Sequence, residues 1–546
     1  HLNLQYETNE GVFRINALKD KQTLVGTGVN PKGQTFDWSA QLIEAFEEPD
    51  EVEEDTSHVP HYGETWFPNM AYGWQQQPRK ENIIFRNATV WTNEDVGIID
   101  QADVAISQGK IVKVGVSIVA QEIFKKENFQ EIDAKGMHLT SGIIDEHSHI
   151  AISRGVNEGS QASSAEVSIA NVINSDDINI YRQLSGGVTT AQLLHGSANP
   201  IGGQSAIIKF RWGSSPDQMK FEGADGFIKF ALGENVKQSN WGDYERIRFP
   251  QTRMGVEQVF YDHFMRAKAY EKEWQNYNAL SLSEKRRTQA PREDLEMNTL
   301  VEILNSERFI TCHSYVQSEI NMLMHVADSM DFTLNTFTHI LEGYKVADKM
   351  KEHGAGASTF SDWWAYKFEV NDAIPHNASI LADMGIVTAI NSDDAEMARR
   401  LNQEAAKAVK YGGVSQEEAW KMVTLNPAKL LHLDHRIGSI KSGKDADIVL
   451  WTDNPLSVYA KVQQTYVDGR CYFDSEKDLE LRGFGDILGF QQSGIKNFRF
   501  ADPLHHKDLF LLAEKEVKKL EKFNFKKFEN LLKLHDKADI ISEIGS

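Results

Sequence analysis

Cysteine is almost absent from this chain, since its 546 residues include only Cys312 and Cys471. Two cysteines exclude a disulfide framework and any zinc module built from several thiolates. Proline is also scarce, at 13 residues, which excludes long Pro-rich linkers. No apolar run approaches the roughly 18 residues of a transmembrane helix, so we expect no membrane span.

Positive charge is in short supply as well. The 58 basic residues are outnumbered by 79 acidic ones, which gives a formal net charge of −21. An excess of this sign argues against a nucleic-acid partner, because such a partner needs a basic surface. Hydrophobic residues make up 41% of the chain, too many for a disordered protein. These proportions indicate a large, acidic, soluble globular protein.

The first residue is His1 and not Met, and residues 1–13 lack the charged and apolar regions of a secretory leader. We therefore expect a processed chain or a piece of a longer one. A mature exported protein, periplasmic or extracellular, is the first expectation, although a cut cytoplasmic protein would begin in the same way.

Short apolar strands alternate with longer helical segments between residues 139 and 431. The strand candidates are Gly142–Ile144, Val188–Leu194, Ala206–Phe210, Gly226–Leu232, Phe309–Cys312, Thr333–Thr338 and Ile386–Ile390. Such repetition predicts an α/β fold with a parallel sheet, and a stretch of roughly 300 residues favours a closed (β/α)8 TIM-like barrel over a small doubly wound sheet. Only about seven strands stand out, so closure is inferred from length.

Strand patterns on both sides of this block predict a second, smaller domain. Ile83–Trp91 has the pattern of a strand, a hairpin follows around Gly109-Lys110, and strand patterns resume after residue 437. We expect residues 81–138 and 432–475 to form one composite β-sandwich domain.

The remaining segments are interpreted as extensions, at residues 1–80 and 476–546. In the first, Gln22–Val29 has a strand pattern that ends at the turn Asn30-Pro31-Lys32-Gly33. In the second, four apolar residues recur at helical spacing and predict a helix with one apolar face. They are Leu509, Leu512, Val517 and Leu520.

The strongest chemical signal is an apolar strand that ends in His147-Ser148-His149. Barrel enzymes place their sites at the carboxyl ends of the strands. Because side chains alternate along a strand, His147 and His149 face the same way and can share one metal ion. Imidazole is a usual ligand of zinc and similar ions. Taken alone, a His-x-His would as readily be a surface or packing feature.

Three other strands of the same block end in candidate ligands. Two end in His313 and His339, and a third runs into Asp393. A single histidine at a strand end is at least as often a structural residue. Four such strand ends in one barrel are improbable by chance, so we expect a shared metal site.

This pattern resembles the amidohydrolase superfamily of metal-dependent hydrolases, and within it the imidazolonepropionase-like group. The family has His-x-His after its first barrel strand, histidines after the fifth and sixth, and aspartate after the eighth. A second, independent resemblance covers residues 424–431 and 437–450, which look like the family's return from the barrel to the small β domain. The resemblance implies one or two divalent ions, with zinc expected, bound by five residues. They are His147, His149, His313, His339 and Asp393.

The fourth strand offers two candidates for a further ligand. In binuclear members of the family, a carboxylated lysine or a glutamate from this strand bridges the ions. Glu234 lies just beyond the strand end and needs no modification, whereas Lys229 lies in the middle of the strand. We expect Glu234 to be the ligand, with Lys229 as the alternative.

The resemblance implies hydrolysis of a C–N bond in an amide, a peptide or a cyclic amide. A divalent ion lowers the pKa of water toward ~7, and Asp393 would take the proton of that water and return it to the leaving nitrogen. His195, in the glycine-rich loop 193–204, could bind substrate or stabilise an oxyanion, and a structural role in the turn weighs equally.

Two alternatives stay open at this point. A deaminase of the same fold would attack an amidine carbon, and a mononuclear site would favour it. A catalytically inactive scaffold would use residues 1–80 and 476–546 for assembly, as a subunit of a larger two-part protein. The expected partner is a small-molecule or peptide substrate, and either a homo-oligomer or association with an upstream chain segment is open.

Overall fold

The computed structural model describes residues 2–9, 11–20, 22–41, 43, 65–69, 71–237 and 248–481. They belong to two compact units, residues 1–64 and 65–546. The helix face expected from Leu509 to Leu520 lies outside the described residues.

The first unit contains an antiparallel four-stranded meander. Its strands are β1 (Leu2–Thr8), β2 (Gly11–Asp20), β3 (Thr23–Val29) and β4 (Thr35–Gln41). Tyr6 pairs with Phe13 across β1 and β2, and their rings stack with centroids 5.1 Å apart. The expected strand and turn are confirmed: Oδ1 of Asn30 accepts hydrogen bonds from the backbone N–H groups of Lys32 and Gln34, an Asx-type closure of the turn.

The second unit holds the remaining described strands. They are β5 (Ile83–Trp91), β6 (Ile98–Ser107), β7 (Lys110–Gly115), β8 (Gln130–Asp133), β9 (His138–Ser141), β10 (Ile143–Ser148), β11 (Val188–Leu193), β12 (Ile201–Gln204), β13 (Ala206–Lys209), β14 (Gly226–Ala231), β15 (Arg308–Ser314), β16 (Thr336–His339), β17 (Gly356–Thr359), β18 (Thr388–Ile390), β19 (Ile448–Trp451), β20 (Val462–Val467) and β21 (Arg470–Asp474).

The described helices are mostly short. They are α1 (Ala120–Phe124), α2 (Ile178–Leu184), α3 (Pro216–Met219), α4 (Arg253–Ala279), α5 (Leu282–Lys285), α6 (Leu295–Leu304), α7 (Gln317–Met330), α8 (Ala347–His353), α9 (Asn377–Asp383), α10 (Leu401–Gly412), α11 (Gln416–Lys421), α12 (Leu425–Leu430) and α13 (Ser475–Leu481). None of those in the described ranges combines the length and apolar character that a membrane crossing needs.

Strands from both flanks of the α/β block join in one eight-stranded sheet, in the order β21-β20-β19-β9-β5-β6-β7 with β8 paired to β5. The junction is the antiparallel pairing of β9 with β19. The expected strand at Ile83–Trp91 and the hairpin of β6 and β7 are confirmed. The expected β-sandwich is not shown, because the described flank strands lie in this single sheet.

The α/β block contains two sheets among its described residues. One is β10-β11-β13, and the other is β12-β14-β15-β16-β17-β18. From β14 to β18 each strand is parallel to the next in the chain, so their carboxyl ends share one edge. Mixed α/β content is therefore confirmed, whereas a closed barrel is not, because the strands are divided between two sheets.

All seven strands expected in this block overlap observed strands, but two observed strands were missed. The glycine-rich sequence of β12, Ile201-Gly202-Gly203-Gln204, is typical of a loop. β17 has the sequence Gly356-Ala357-Ser358-Thr359. Both are short and poor in bulky apolar side chains, which are the usual signal of a buried strand.

The core of the α/β block forms where helices cover this sheet. Thr252 caps α4, and its Oγ1 accepts a hydrogen bond from the N–H of Gly255. Val256, Val259, Phe260, Phe264 and Ala267 are buried along one side of the helix, at the spacing of a single helical face. The Phe264 ring stacks on Phe332 with centroids 4.1 Å apart. This packing holds the strands whose carboxyl ends carry the candidate site.

Candidate metal centre

Two histidines at the end of β10 meet at their Nε2 atoms. In His147 and His149 these atoms lie 3.2 Å apart, which agrees with the His-x-His spacing. Nδ1 of His147 is 3.0 Å from Oγ1 of Thr338, and Nδ1 of His149 is 2.9 Å from the carbonyl oxygen of Leu194. When Nδ1–H donates these bonds, the Nε2 lone pair is left for a metal ion.

Asp393 follows β18 and reaches both histidines. Its Oδ1 lies 3.4 Å from Nε2 of His147 and 3.2 Å from Nε2 of His149. The ligand atoms of the three side chains all lie within 4.8 Å of one another, close enough for one ion. The Asp393 side chain is 25% exposed and that of His147 only 1%, so the carboxylate is more open to solvent than the ring.

His339 lies at the edge of this group, and His313 lies beside it. Nε2 of His339 is 3.7 Å from Oδ2 of Asp393, and the His313 ring centroid is 4.7 Å from that of His339. His339 is fully buried, yet neither of its ring nitrogens has a hydrogen-bond partner among the described residues. Such unpaired buried nitrogens are costly, and a metal ligand is one established reason to retain them.

The buried rings are electrostatically suited to this role. Burial lowers the pKa of His147, His313 and His339 well below the usual histidine value, and the charge of Lys229 lowers all three further. The three rings are therefore neutral at pH 7, and neutral imidazole is the form that binds a metal ion.

The two candidates from the fourth strand have different surroundings. Nζ of Lys229, on β14, lies 3.0 Å from Nε2 of His147 and is buried. The Glu234 carboxylate pairs with Nζ of Lys237 at 2.8 Å and with Nη2 of Arg253 at 3.2 Å. The position of Glu234 just beyond the strand end favours it as a ligand. The long Lys229 side chain nevertheless reaches His147 from the middle of the strand.

His195 has a different environment from the one expected for a substrate ligand. Its Nδ1 is 2.8 Å from the carbonyl oxygen of Gly196, and its Nε2 accepts from the N–H of Glu158 at 2.8 Å. A Cβ atom at Gly203 would come within 2.9 Å of the ring, so glycine is needed there. Both ring nitrogens of His195 form hydrogen bonds with the loop backbone. Substrate binding by His195 stays a prediction.

A buried polar network behind the histidines was not predicted from the sequence. Oγ1 of Thr338 contacts His147 and donates to Oε2 of Glu146 at 3.2 Å. Burial raises the pKa of Glu146 to about 8. Asn391 donates to Oγ of Ser358 at 2.8 Å, next to this network. In the sequence, the only sign of a role for Glu146 is its position next to His147 on β10. Ser358 lies on β17, a strand that the sequence pattern does not predict.

Comparison with known proteins identifies the family of this chain. The model of the Amidohydrolase family matches residues 139–471, which is more than half of the chain. The chain belongs to the amidohydrolase family. The resemblance inferred from the strand ends is thereby confirmed.

Individual relatives agree with this membership. This amidohydrolase-family chain is 30% identical over 430 residues to amidohydrolase tasK of Hapsidospora irregularis, which corresponds to 72% of this chain and 43% of the relative. It is 31% identical over 122 residues to an imidazolonepropionase of Thermoplasma volcanium, or 21% of this chain and 30% of that one. The chain spans less than half the length of these curated relatives.

A solved structure extends the similarity to the fold. The amidohydrolase from Thermotoga maritima MSB8 superposes with a TM-score of 0.64 at 31% identity, over 72% of this chain and 100% of the other.

Proposed function

We propose that this amidohydrolase-family chain is a metal-dependent hydrolase that cleaves the C–N bond of an amide, a peptide or a cyclic amide. The observation that carries the proposal is the convergence of His147, His149 and Asp393, whose ligand atoms lie within 4.8 Å of one another. We assign His313 and His339 to the same centre. A donor set of histidines and carboxylate suits zinc.

The residues fit a divalent ion on evidence internal to the chain. The unpaired nitrogens of buried His339 and the facing Nε2 atoms of His147 and His149 are explained together if one ion lies among them. The Nδ1 contacts to Thr338 and Leu194 would hold the ring orientations.

For the ligand from β14 we now prefer Lys229 over Glu234. The Lys229 amine is adjacent to His147, and burial lowers the pKa of Lys229 to about 8. A larger neutral fraction favours carboxylation, because the neutral amine is the nucleophile. Glu234 instead neutralises Lys237 and Arg253. A carboxylated Lys229 would make a binuclear centre, which favours amide hydrolysis over deamination.

We also propose that the strands close into a (β/α)8 barrel. The backbone N–H of Asp393, after β18, donates to the carbonyl oxygen of His147 at 3.1 Å. Ser392 donates to Oδ2 of Asp145 at 2.5 Å. These bonds join the end of the last strand to the end of the first strand of the block.

A bound divalent ion would supply a water of pKa near ~7 and polarise the substrate carbonyl. Asp393, the partly exposed carboxylate of the centre, would accept a proton from the attacking water and donate it to the leaving nitrogen. His147 and His149 would hold the ion. The network of Thr338 and Glu146 would keep His147 in the required tautomer.

The test compares two adjacent carboxylates. Asp393→Asn should lower turnover of N-acyl amino acids, dipeptides or cyclic amides by about 100-fold or more. Asp394→Asn is the matched control, because Oδ1 of Asp394 accepts from the N–H groups of Glu396 and Met397 and so caps a turn; it should retain activity. Metal content of the purified native chain is measured in parallel. A native chain without metal, or equal activity in Asp393→Asn, would contradict the mechanism.

A further inference from the structure

A cavity of about 780 Å³ is lined by residues that follow β14, β15, β16 and β17. The proposed ligands also lie at carboxyl ends of strands, so the cavity and the metal centre lie at the same end of the strands. Among the residues that the structure describes, the charged lining of the cavity consists of two cations and four carboxylates. They are Arg253, Lys367, Glu234, Glu342, Glu369 and Asp372.

Lys367 connects this cavity to the histidines. Its Nζ lies 4.0 Å from the ring centroid of Tyr315. The Tyr315 ring is 4.7 Å from His313 and stacks on His339 at 5.5 Å, between centroids. Lys367 also contributes to lowering the pKa of His313 and His339, after the larger effect of burial. One aromatic ring thus separates this ammonium group from two proposed ligands.

The two described cations of the cavity differ in how many carboxylates they pair with. Arg253 is 46% exposed but lies between two carboxylates, with Nε 2.5 Å from Glu319 and Nη2 3.2 Å from Glu234. Lys367 has an ion pair with Glu369 at 3.0 Å, and its side chain is 28% exposed. An ammonium group has three donors, so Lys367 can keep Glu369 and still bind a second oxygen.

The balance of charge limits what can bind. Four carboxylates on the lining disfavour a polyanion such as a phosphorylated substrate, because like charges in a partly enclosed site repel. A single carboxylate brings one negative charge, which Lys367 can offset while it keeps its ion pair with Glu369. An ammonium or neutral group of the same molecule can face the carboxylates of the lining.

We propose that this cavity holds the non-reacting end of the substrate and that Lys367 binds a carboxylate there. The preferred substrates are then N-acyl amino acids or short peptides whose free carboxylate lies close to the scissile C–N bond. This inference rests on the proposed function, since it takes the reaction to occur at the metal centre. Lys367 is thereby a specificity-determining residue.

The experiment pairs each N-acetyl amino acid with its N-acetyl amino acid amide, which lacks the carboxylate, and measures acetate release by the full chain. Lys367→Met should raise KM for the acid by about 10- to 100-fold, the worth of a charge-assisted hydrogen bond, and change KM for the amide less than about threefold. Lys367→Arg should keep most of the preference. Lys421→Met is the matched control, because Lys421 is also partly exposed and paired with one glutamate at 2.6 Å.

Equal losses on acid and amide, or no loss on either, would overturn the assignment of Lys367. Calorimetric binding of the same two compounds to the same variants separates this inference from the proposed function. If the native chain turns over neither compound, the proposed reaction fails for this class. A preference for binding the acid that disappears in Lys367→Met would still support the carboxylate site, and binding without preference would refute it.

Discussion

Two buried lysines lie on neighbouring strands of the chain in opposite electrostatic surroundings. Nζ of Lys209, on β13, is 2.8, 3.0 and 2.6 Å from carboxylate oxygens of Asp445, Asp447 and Asp468. Burial would lower the pKa of Lys209, but these carboxylates outweigh it and raise that pKa above the usual lysine value. Lys229, on β14, faces His147, and burial lowers its pKa to about 8.

The comparison teaches that burial alone does not decide the role of a lysine. Three carboxylates make Lys209 a permanently charged connection between the α/β block and the eight-stranded sheet, because Asp468 follows β20 and Asp445 and Asp447 precede β19. At Lys229, Asp393 and Glu146 offset burial only in part. A buried lysine with a lowered pKa, such as Lys229, is suited to chemistry. A buried lysine that stays charged, such as Lys209, is suited to holding parts of the fold together.

The largest effect should come from breaking the Lys209 cluster. Lys209→Met leaves buried Asp445 and Asp447, together with partly exposed Asp468, without their central cation. We therefore expect the free energy of unfolding to fall by about 3–5 kcal/mol. Denaturant unfolding followed by circular dichroism measures it. Lys110→Met is the control, because Lys110 is half-exposed and its Nζ pairs with Asp445 at 2.5 Å. In this variant the free energy of unfolding should fall by less than about 1 kcal/mol. Equal losses in the two variants would contradict the distinction.

A smaller effect should appear as a dependence of stability on pH. Burial alone would raise the pKa of Asp445, but Lys209, Lys110 and Arg436 outweigh it and lower that pKa to about 2. A carboxyl with a lowered pKa stabilises the fold above its unfolded pKa, near 4, and this contribution is lost as pH falls toward 2. It amounts to about 2 kcal/mol.

The measurement compares unfolding free energies of the native chain and Asp445→Asn between pH 5 and pH 2. The native curve should fall more steeply below pH 4, so the gap between the two curves should narrow with decreasing pH. Parallel curves would show that Asp445 has an ordinary pKa in the folded chain.

The smallest change in stability should follow from substitution of Lys229. Lys229→Met removes a buried amine without stranding a carboxylate cluster and keeps a similar volume, so the free energy of unfolding should change by less than about 1.5 kcal/mol. Bound metal per chain should fall nonetheless, by elemental analysis. Glu234→Gln should keep the native metal content; a loss of metal in that variant and not in Lys229→Met would restore Glu234 as the ligand.

The sequence was a good guide where a strand pattern and a chemical residue coincided. The strands before His147, His313, His339 and Asp393 were all predicted. Runs of apolar residues precede His147, His313 and Asp393, and the β-favouring Thr336, Phe337 and Thr338 precede His339. β17 was missed because its small residues carry no such pattern. The contact of Lys229 with His147 could not be predicted, because position along a strand says little about how far a long side chain reaches. Lys367 could not have been found at all: it lies in a loop, and only the folded chain brings it over Tyr315.

The backbone at two proposed ligands restricts which amino acids those positions can hold. His339 has φ +68° and Asp393 has φ +48°, in the left-handed region that most side chains avoid and that histidine, aspartate and asparagine tolerate comparatively well. One residue at each position therefore ends its strand, turns the chain and presents a donor atom. Replacing Asp393 with glutamate would keep the charge but add conformational strain, whereas asparagine would preserve the turn and remove the negative charge that serves as proton acceptor and proposed ligand.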